Sequence, residues 1–420
     1  MAVLAAIALL RTAFVIVVGI PATTASVRSW PMEDDSYQYV DYARDLLDGR
    51  QGSVAMRMPL YPAFLAVTWS DSHTWLAALV VQQAAGLAIG ILCFLITRSA
   101  CPRAAPAAGA SAMLLPQHVV LSTRIMPDTF ALLAVVLSGY LWTRALRTRS
   151  TRTYVALWGT IGLALSIGAV TKQVLLMSPS VYIALIAFEK ARRPAVRLPA
   201  LAVMLAVFSA IPLSWREFNR REFGLDAYSA QDAFEPLGRA AILAGITDEQ
   251  AVWSGEFLAP LDSLAMSGGV VDPALRDSIY RARTREIVLS HPVEVLVPHL
   301  TSWPKFFSLG YSHKILRASG MEERDPALTA WKAALALLYL AMAAGACTAL
   351  LVPAIRSRTR PLIGLFLGWA VFSAVVYGPL ATTRYGVTFY WAMATLACAA
   401  FAFAAARRGP VQGSAGSDKG

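Results

Sequence analysis

Apolar runs long enough to cross a bilayer recur from one end of the chain to the other. A helix needs about 20 predominantly apolar residues to traverse ~30 Å of hydrocarbon. Within lipid the backbone polar groups must find partners inside their own segment, so such runs are helices. We read ten of them, near residues 3–25, 74–97, 105–123, 128–146, 154–171, 173–189, 199–215, 330–353, 362–380 and 386–406. Hydrophobic residues form 57% of the chain and charged residues 15%, which excludes an assembly of soluble domains. The fold class expected is an all-α polytopic membrane protein. Four cysteines without framework spacing exclude a disulfide scaffold.

The net charge of +11 is a matter of topology. One set of short connections carries Arg98 and Arg103, then Arg144, Arg147, Arg149 and Arg152, then Lys190, Arg192, Arg193 and Arg197, then Arg356, Arg358 and Arg360. Arg407 and Arg408 follow the last span. Cytoplasmic loops retain Lys and Arg, so this set and both termini are assigned to the cytoplasmic side. Only Glu189 and Asp418 share it; every other Asp and Glu falls at the opposite face. No aromatic-interleaved basic patch and no Walker-type glycine loop accompanies the charge, so no nucleic-acid partner is expected. Thr23 to Ser26 has the look of a signal-peptide cleavage site. No Lys or Arg precedes the apolar run, however, and Arg11 interrupts it, which favours an uncleaved first span.

These assignments divide the chain into four parts: 1–215 with a first outer loop at 26–58, an extracytoplasmic segment at 216–329, C-terminal membrane helices at 330–406, and a disordered tail at 407–420. In the second part, Asp272-Pro273 opens a helix expected to run to Ser290, where His291-Pro292 breaks it. Val293 to Phe307 reads as an amphipathic helix at the membrane surface. The five histidines make no metal motif.

Polar groups near a bilayer are costly and therefore informative. After Trp30-Pro31-Met32-Glu33, the stretch Asp34-Asp35-Ser36-Tyr37-Gln38-Tyr39 begins an amphipathic helix ending near Gly49, a fitting C-cap. Asp34 and Asp35 sit at its start. A carboxylate there caps the helix, or acts as general base on an acceptor hydroxyl; two adjacent ones can do both. Asp128 lies in the turn after the third span, Lys172 in the turn after the fifth, and Arg384-Tyr385 in the turn before the last. Each alone is a snorkelling or topology residue. Together they set carboxylates and cations at one membrane surface, which suits a reaction on a lipid-linked phosphate.

At these residues the sequence resembles a family. Asp35-Ser36-Tyr37-Gln38-Tyr39, Ala43, Gly49 and Arg57-Met58-Pro59-Leu60-Tyr61-Pro62 are similar to the first-loop signature of GT-C glycosyltransferases. The nearest type is glycosyltransferase family 39, which includes protein O-mannosyltransferases and the aminoarabinose transferase acting on lipid A. Ile125-Met126-Pro127-Asp128, Thr171-Lys172 and Arg384-Tyr385 extend the likeness in order. Arg57-Met58-Pro59 departs from the double-proline form of the motif, and residues 216–329 do not indicate an acceptor.

The resemblance implies a GT-C membrane fold with about ten transmembrane helices and a mostly helical outer segment. It implies a hexosyl- or pentosyltransferase in the plasma (inner) membrane that takes a sugar from a polyprenyl-phosphate donor. The sugar passes, with inversion, to a glycolipid, polysaccharide or protein acceptor at the outer face. By that analogy Asp35 is the base and Asp34 its neighbour, and Lys172 and Arg384 hold the donor phosphate. Tyr39, Arg57, Asp128 and Tyr385 line the site. No metal ligands are assigned and no cofactor is certain; a divalent cation is compatible with the scheme. Two rival classes are a transporter or flippase, expected to carry repeated halves and midplane charges, and a lipid-linked glycan polymerase or ligase, expected to use a large late loop.

Overall fold

The computed structural model describes residues 5–7, 9–13, 34–50, 57–69, 75–189, 192–267, 270–301, 303–307, 326–377 and 383–407. The described chain is helical apart from short connections and a two-residue antiparallel pairing of Met266–Ser267 with Val270–Val271. Among the described residues six helices are long and apolar enough to cross a membrane. They are α3 (Leu76–Ala100), α7 (Thr151–Thr171), α9 (Pro194–Phe223), α16 (Pro326–Leu351), α17 (Pro353–Tyr377) and the Gly386–Ala406 portion of α18 (Thr383–Arg407).

The other expected spans take different forms. Residues 105–123 are two short helices, α4 (Ala105–Leu114) and α5 (Pro116–Ser122). Leu115 turns the chain at ψ 118°, and Pro116, lacking an N–H, starts the second helix where none is required. Residues 173–189 open as a 3₁₀ turn, Gln173–Met177, before α8 (Pro179–Phe188). Residues Asp128–Ala145 form α6. Of the segment 3–25, residues 5–7 and 9–13 are described, all helical; the Thr23 to Ser26 stretch lies outside the described residues.

Small residues let these helices approach closely, as lipid-embedded packing requires. A Cβ on Gly162 of α7 would stand 2.3 Å from the Met204 carbonyl oxygen of α9, so two backbones meet there. Gly345 of α16 faces Ala397 of α18 in the same way, with 2.6 Å between a built Cβ and the alanine Cβ. Arg11 locks the N-terminal helical segment onto this bundle. Its guanidinium donates to Gln83 Oε1 at 3.1 Å, to the Met113 carbonyl at 2.9 Å and to Ser122 Oγ at 2.8 Å, so a buried cation is satisfied by three helices.

The basic connections gather at one end of the bundle. Arg147 bonds the Ser99 carbonyl, Arg192 bonds the Thr148 carbonyl, and Arg197 donates to the Glu189 carbonyl at 2.7 Å. Three of the expected loops thus brace one another. At the other end α9 runs eight residues past the boundary expected at 215, stopping where Gly224 takes φ +65°. Its 30 residues measure about 45 Å, longer than the ~30 Å hydrocarbon core, so it projects beyond the membrane.

After the loop at 225–230, which bonds back to α9 through Trp215, Arg216 and Asn219, come α10 (Gln231–Leu243), α11 (Glu249–Trp253), α12 (Ala259–Leu264) and α13 (Pro273–Ser290). Asp272 caps α13 as expected, accepting from the Ala274 and Leu275 amides. The stretch after His291 is two short helices, α14 (Pro292–Thr301) and α15 (Trp303–Phe306). Phe306 is buried, with its ring 5.7 Å from that of Phe389, which seats this strap on α18.

Candidate active site at one end of the bundle

The first outer helix, α1 (Asp34–Leu47), ends at Gly49 with φ +66°, as its sequence indicates. A second short helix, α2 (Leu60–Val67), packs against it. Between them Arg57 closes a polar cluster. Its Nη2 lies 3.1 Å from Asp35 Oδ1, its Nε donates to Gln38 Oε1 at 2.8 Å, and its guanidinium carbon is 5.1 Å from the Tyr39 ring centre. Gln38 and Tyr39 hold the planar guanidinium against the Asp35 carboxylate, whose side chain stays 37% exposed. A fixed, accessible carboxylate is what a general base requires.

A second cluster stands at the start of α6. Asp128 is almost wholly buried, and Lys172 Nζ lies 2.5 Å from its Oδ1. Lys172 occupies the extended residue between α7 and the 3₁₀ turn, which aims its side chain across to α6. These residues were assigned separate roles from the sequence; the fold joins them as an ion pair.

Tyr61 of α2 links the clusters. Its ring meets Tyr39 edge-on at 5.3 Å, and its hydroxyl donates to Gln82 Oε1 at 2.6 Å. The Gln82 amide in turn donates to the Arg124 carbonyl at 2.6 Å, in the turn before Asp128. Burial, then the charges of Tyr39 and Asp128, hold the Tyr61 hydroxyl well above its ordinary pKa, so it is a neutral donor. The Ser36 hydroxyl against Met126 Sδ, 3.7 Å, makes a second link.

The outer helices are tied to both clusters through glutamines. Gln231 of α10 donates to Gln38 Oε1 at 3.0 Å, and Gln173, beside Lys172, hydrogen bonds Asp232 and Ser229. Burial raises the Asp232 carboxyl above its ordinary range, against the lowering effect of the Tyr228 and Ser229 donors. Tyr61 and Gln38 stand in the first-loop motif without a role of their own, and Gln82, Gln173, Gln231 and Asp232 enter with the fold. Gln82 and Gln83 were detectable: adjacent amides within an apolar run are costly unless partnered.

From this end an apolar groove of about 300 Å³ runs between α2, α6 and α7. Leu60, Phe64, Phe130, Leu137 and Ile167 are among its walls, and Thr171, next to Lys172, also lines it. The side chains of Asp34, Arg384 and Tyr385 lie outside the described part of the structure; Arg384 and Tyr385 stand in the first turn of α18. Among the described residues no group of three or more His, Cys, Asp or Glu side chains is placed to hold a metal ion.

Comparison with known proteins bears on the fold. Residues 57–215 match the protein family described as dolichyl-phosphate-mannose-protein mannosyltransferase. The fold is similar to that of the Archaeoglobus fulgidus oligosaccharyltransferase tethered to an acceptor peptide, at a TM-score of 0.57 and 15% identity over 97% of this chain and 49% of that one. The chain has the GT-C fold. The same archaeal enzyme with an inhibitory peptide and a dolichol-phosphate matches at a TM-score of 0.55 and 14% identity, over 97% and 50% of the two chains. ArnT from Cupriavidus metallidurans bound to undecaprenyl phosphate gives 0.40 at 14% identity, over 94% and 78%. This GT-C chain spans about half the length of the archaeal oligosaccharyltransferase. No curated protein matches it in sequence.

Proposed function

We propose that this GT-C protein transfers a sugar from a polyprenyl-phosphate donor to an acceptor hydroxyl at the outer face of the membrane, with inversion at the anomeric carbon. The observation that carries the reading is the conjunction of an oriented, accessible Asp35 with an apolar groove that starts beside Lys172. The isoprenoid lies in the groove and its phosphate rests at the Lys172 end. Asp35 accepts the proton of the acceptor hydroxyl as the oxygen bonds to the anomeric carbon. The bond from that carbon to the phosphate oxygen breaks, and the electron pair leaves with the polyprenyl phosphate. Lys172, braced by Asp128, and Arg384 balance the negative charge that develops on the leaving phosphate. Tyr39, Arg57 and Tyr385 shape the sugar's side of the site.

The family match over residues 57–215 and the dolichol-phosphate held by the archaeal enzyme support the donor class. The full chain in lipid nanodiscs should bind undecaprenyl phosphate, read by tryptophan fluorescence. Ile167→Trp, placed on the exposed rim of the groove, should weaken binding at least ~10-fold by occupying the tail's path. Equal affinity in the two proteins would remove the groove from the donor site, and no binding in either would remove the donor class.

A further inference from the structure

The outer segment holds a second concavity. It is a polar cleft of about 620 Å³ between the projecting end of α9, the loop after it, the first turn of α10 and one face of α13. That volume falls within the roughly 300–1,000 Å³ usual for small-ligand clefts. Arg216 and Asp226 pair in it through two parallel bonds, 2.8 and 2.7 Å. Arg281 and Asp277 pair likewise at 2.6 and 3.2 Å. Asp232 and Tyr228 complete the polar wall, and Ala274 and Ser278 leave the α13 side open.

We propose that this cleft is the acceptor subsite, and that it holds a neutral sugar whose hydroxyl receives the transferred group. The inference rests on the transferase reading and adds the acceptor class to it.

Position supports it first. Asp232 lines the cleft and also bonds Gln173, the residue that follows Lys172 of the ion pair with Asp128. Its helix neighbour Gln231 reaches Gln38, which holds the arginine that orients Asp35. The cleft is therefore linked through Gln173 and Gln231 to both halves of the candidate site.

Charge supports it next. Two arginines face three aspartates, a balance that repels a phosphorylated or carboxylated ligand. Each bidentate pair uses two of the five N–H groups of its guanidinium, and each carboxylate oxygen has further lone-pair capacity. The cleft thus offers donors and acceptors side by side. A sugar hydroxyl is both donor and acceptor, and matches such a wall without bringing in net charge.

The test uses the full chain in nanodiscs, with saturation-transfer NMR on methyl glycosides of mannose, galactose, glucose and arabinose. Methyl glucuronoside and a basic decapeptide are the charged controls. At least one neutral glycoside should show transfer, the glucuronoside and the peptide should show none, and Ser278→Trp, which fills the cleft from an exposed position, should abolish the signal. Undecaprenyl phosphate should bind Ser278→Trp as it binds the natural protein, which separates failure here from failure of the donor reading. Labelled-sugar transfer to a soluble polysaccharide fraction and to a glycolipid embedded in the disc then distinguishes the two sources of such a sugar. Ser278→Trp should raise the KM for the productive one at least ~10-fold. Signal from the glucuronoside or peptide alone, no signal from any neutral glycoside, or an unchanged signal or KM in Ser278→Trp would overturn the proposal.

Discussion

The ammonium of Lys172 lies 2.5 Å from Oδ1 of Asp128, joining residues 44 positions apart whose side chains are 16% and 1% exposed. Breaking one side of so buried a pair leaves the other charge without its counter-ion, typically at a cost of about 3–5 kcal/mol. Lys172→Ala should therefore lower the unfolding temperature more than Lys172→Ala combined with Asp128→Ala, measured by scanning calorimetry in detergent. If the double variant is less stable by the sum of the two single losses, the residues are not coupled.

Asp35→Asn keeps the hydrogen bond with Arg57 within reach but removes the proton acceptor. Transfer from a labelled polyprenyl-phosphate sugar should fall by about 10²–10⁴-fold while undecaprenyl phosphate affinity is retained. Asp34→Asn, in the role of a helix cap, should cost less activity and up to about 2 kcal/mol of local stability. Equal and mild losses in the two variants would take the base assignment away from Asp35.

Arg57 contacts Asp35, the proposed base, together with Gln38 and Tyr39. Arg57→Lys keeps the charge and loses the planar fork, so it should reduce kcat about 10-fold with little change in donor affinity. A lysine variant as active as the natural protein would mean that charge alone suffices there.

Tyr61→Phe deletes the hydroxyl that donates to Gln82 Oε1 and leaves that buried oxygen one donor short. A loss of about 1–3 kcal/mol is expected from unfolding midpoints. Gln82→Leu combined with Tyr61→Phe should recover part of it, unless the Gln82 bond to the Arg124 carbonyl carries most of the stabilisation.

Orientation is open to a direct check. A periplasm-active reporter fused after residue 50 or residue 270 should be active, and one fused at residue 150 or 195 should be silent. Activity at 195 would reverse the membrane sidedness and put Asp35 at the cytoplasmic face.

The sequence alone determined the features that depend on neighbours a few residues apart. Hydropathy and length marked the long helices, Gly49 ended α1, and Asp272-Pro273 began α13, because caps and spans are set by local backbone chemistry. The alternation of arginine-rich connections likewise anticipated which loops gather at one end. Pro116 was a local sign of the division of residues 105–123 at Leu115 that hydropathy alone passes over, and the 3₁₀ opening of 173–177 was not legible, since apolar content is the same for either helix type. Nor were the partners: nothing within a few residues of Lys172 indicates Asp128, and nothing near Gln38 indicates Gln231. Those contacts, and the groove and cleft beside them, depend on how α1, α2, α6, α7 and α10 pack side by side. Only tertiary structure decides that, because close approach of small residues and the satisfaction of buried polar groups are settled between helices and leave no periodic trace along any one of them.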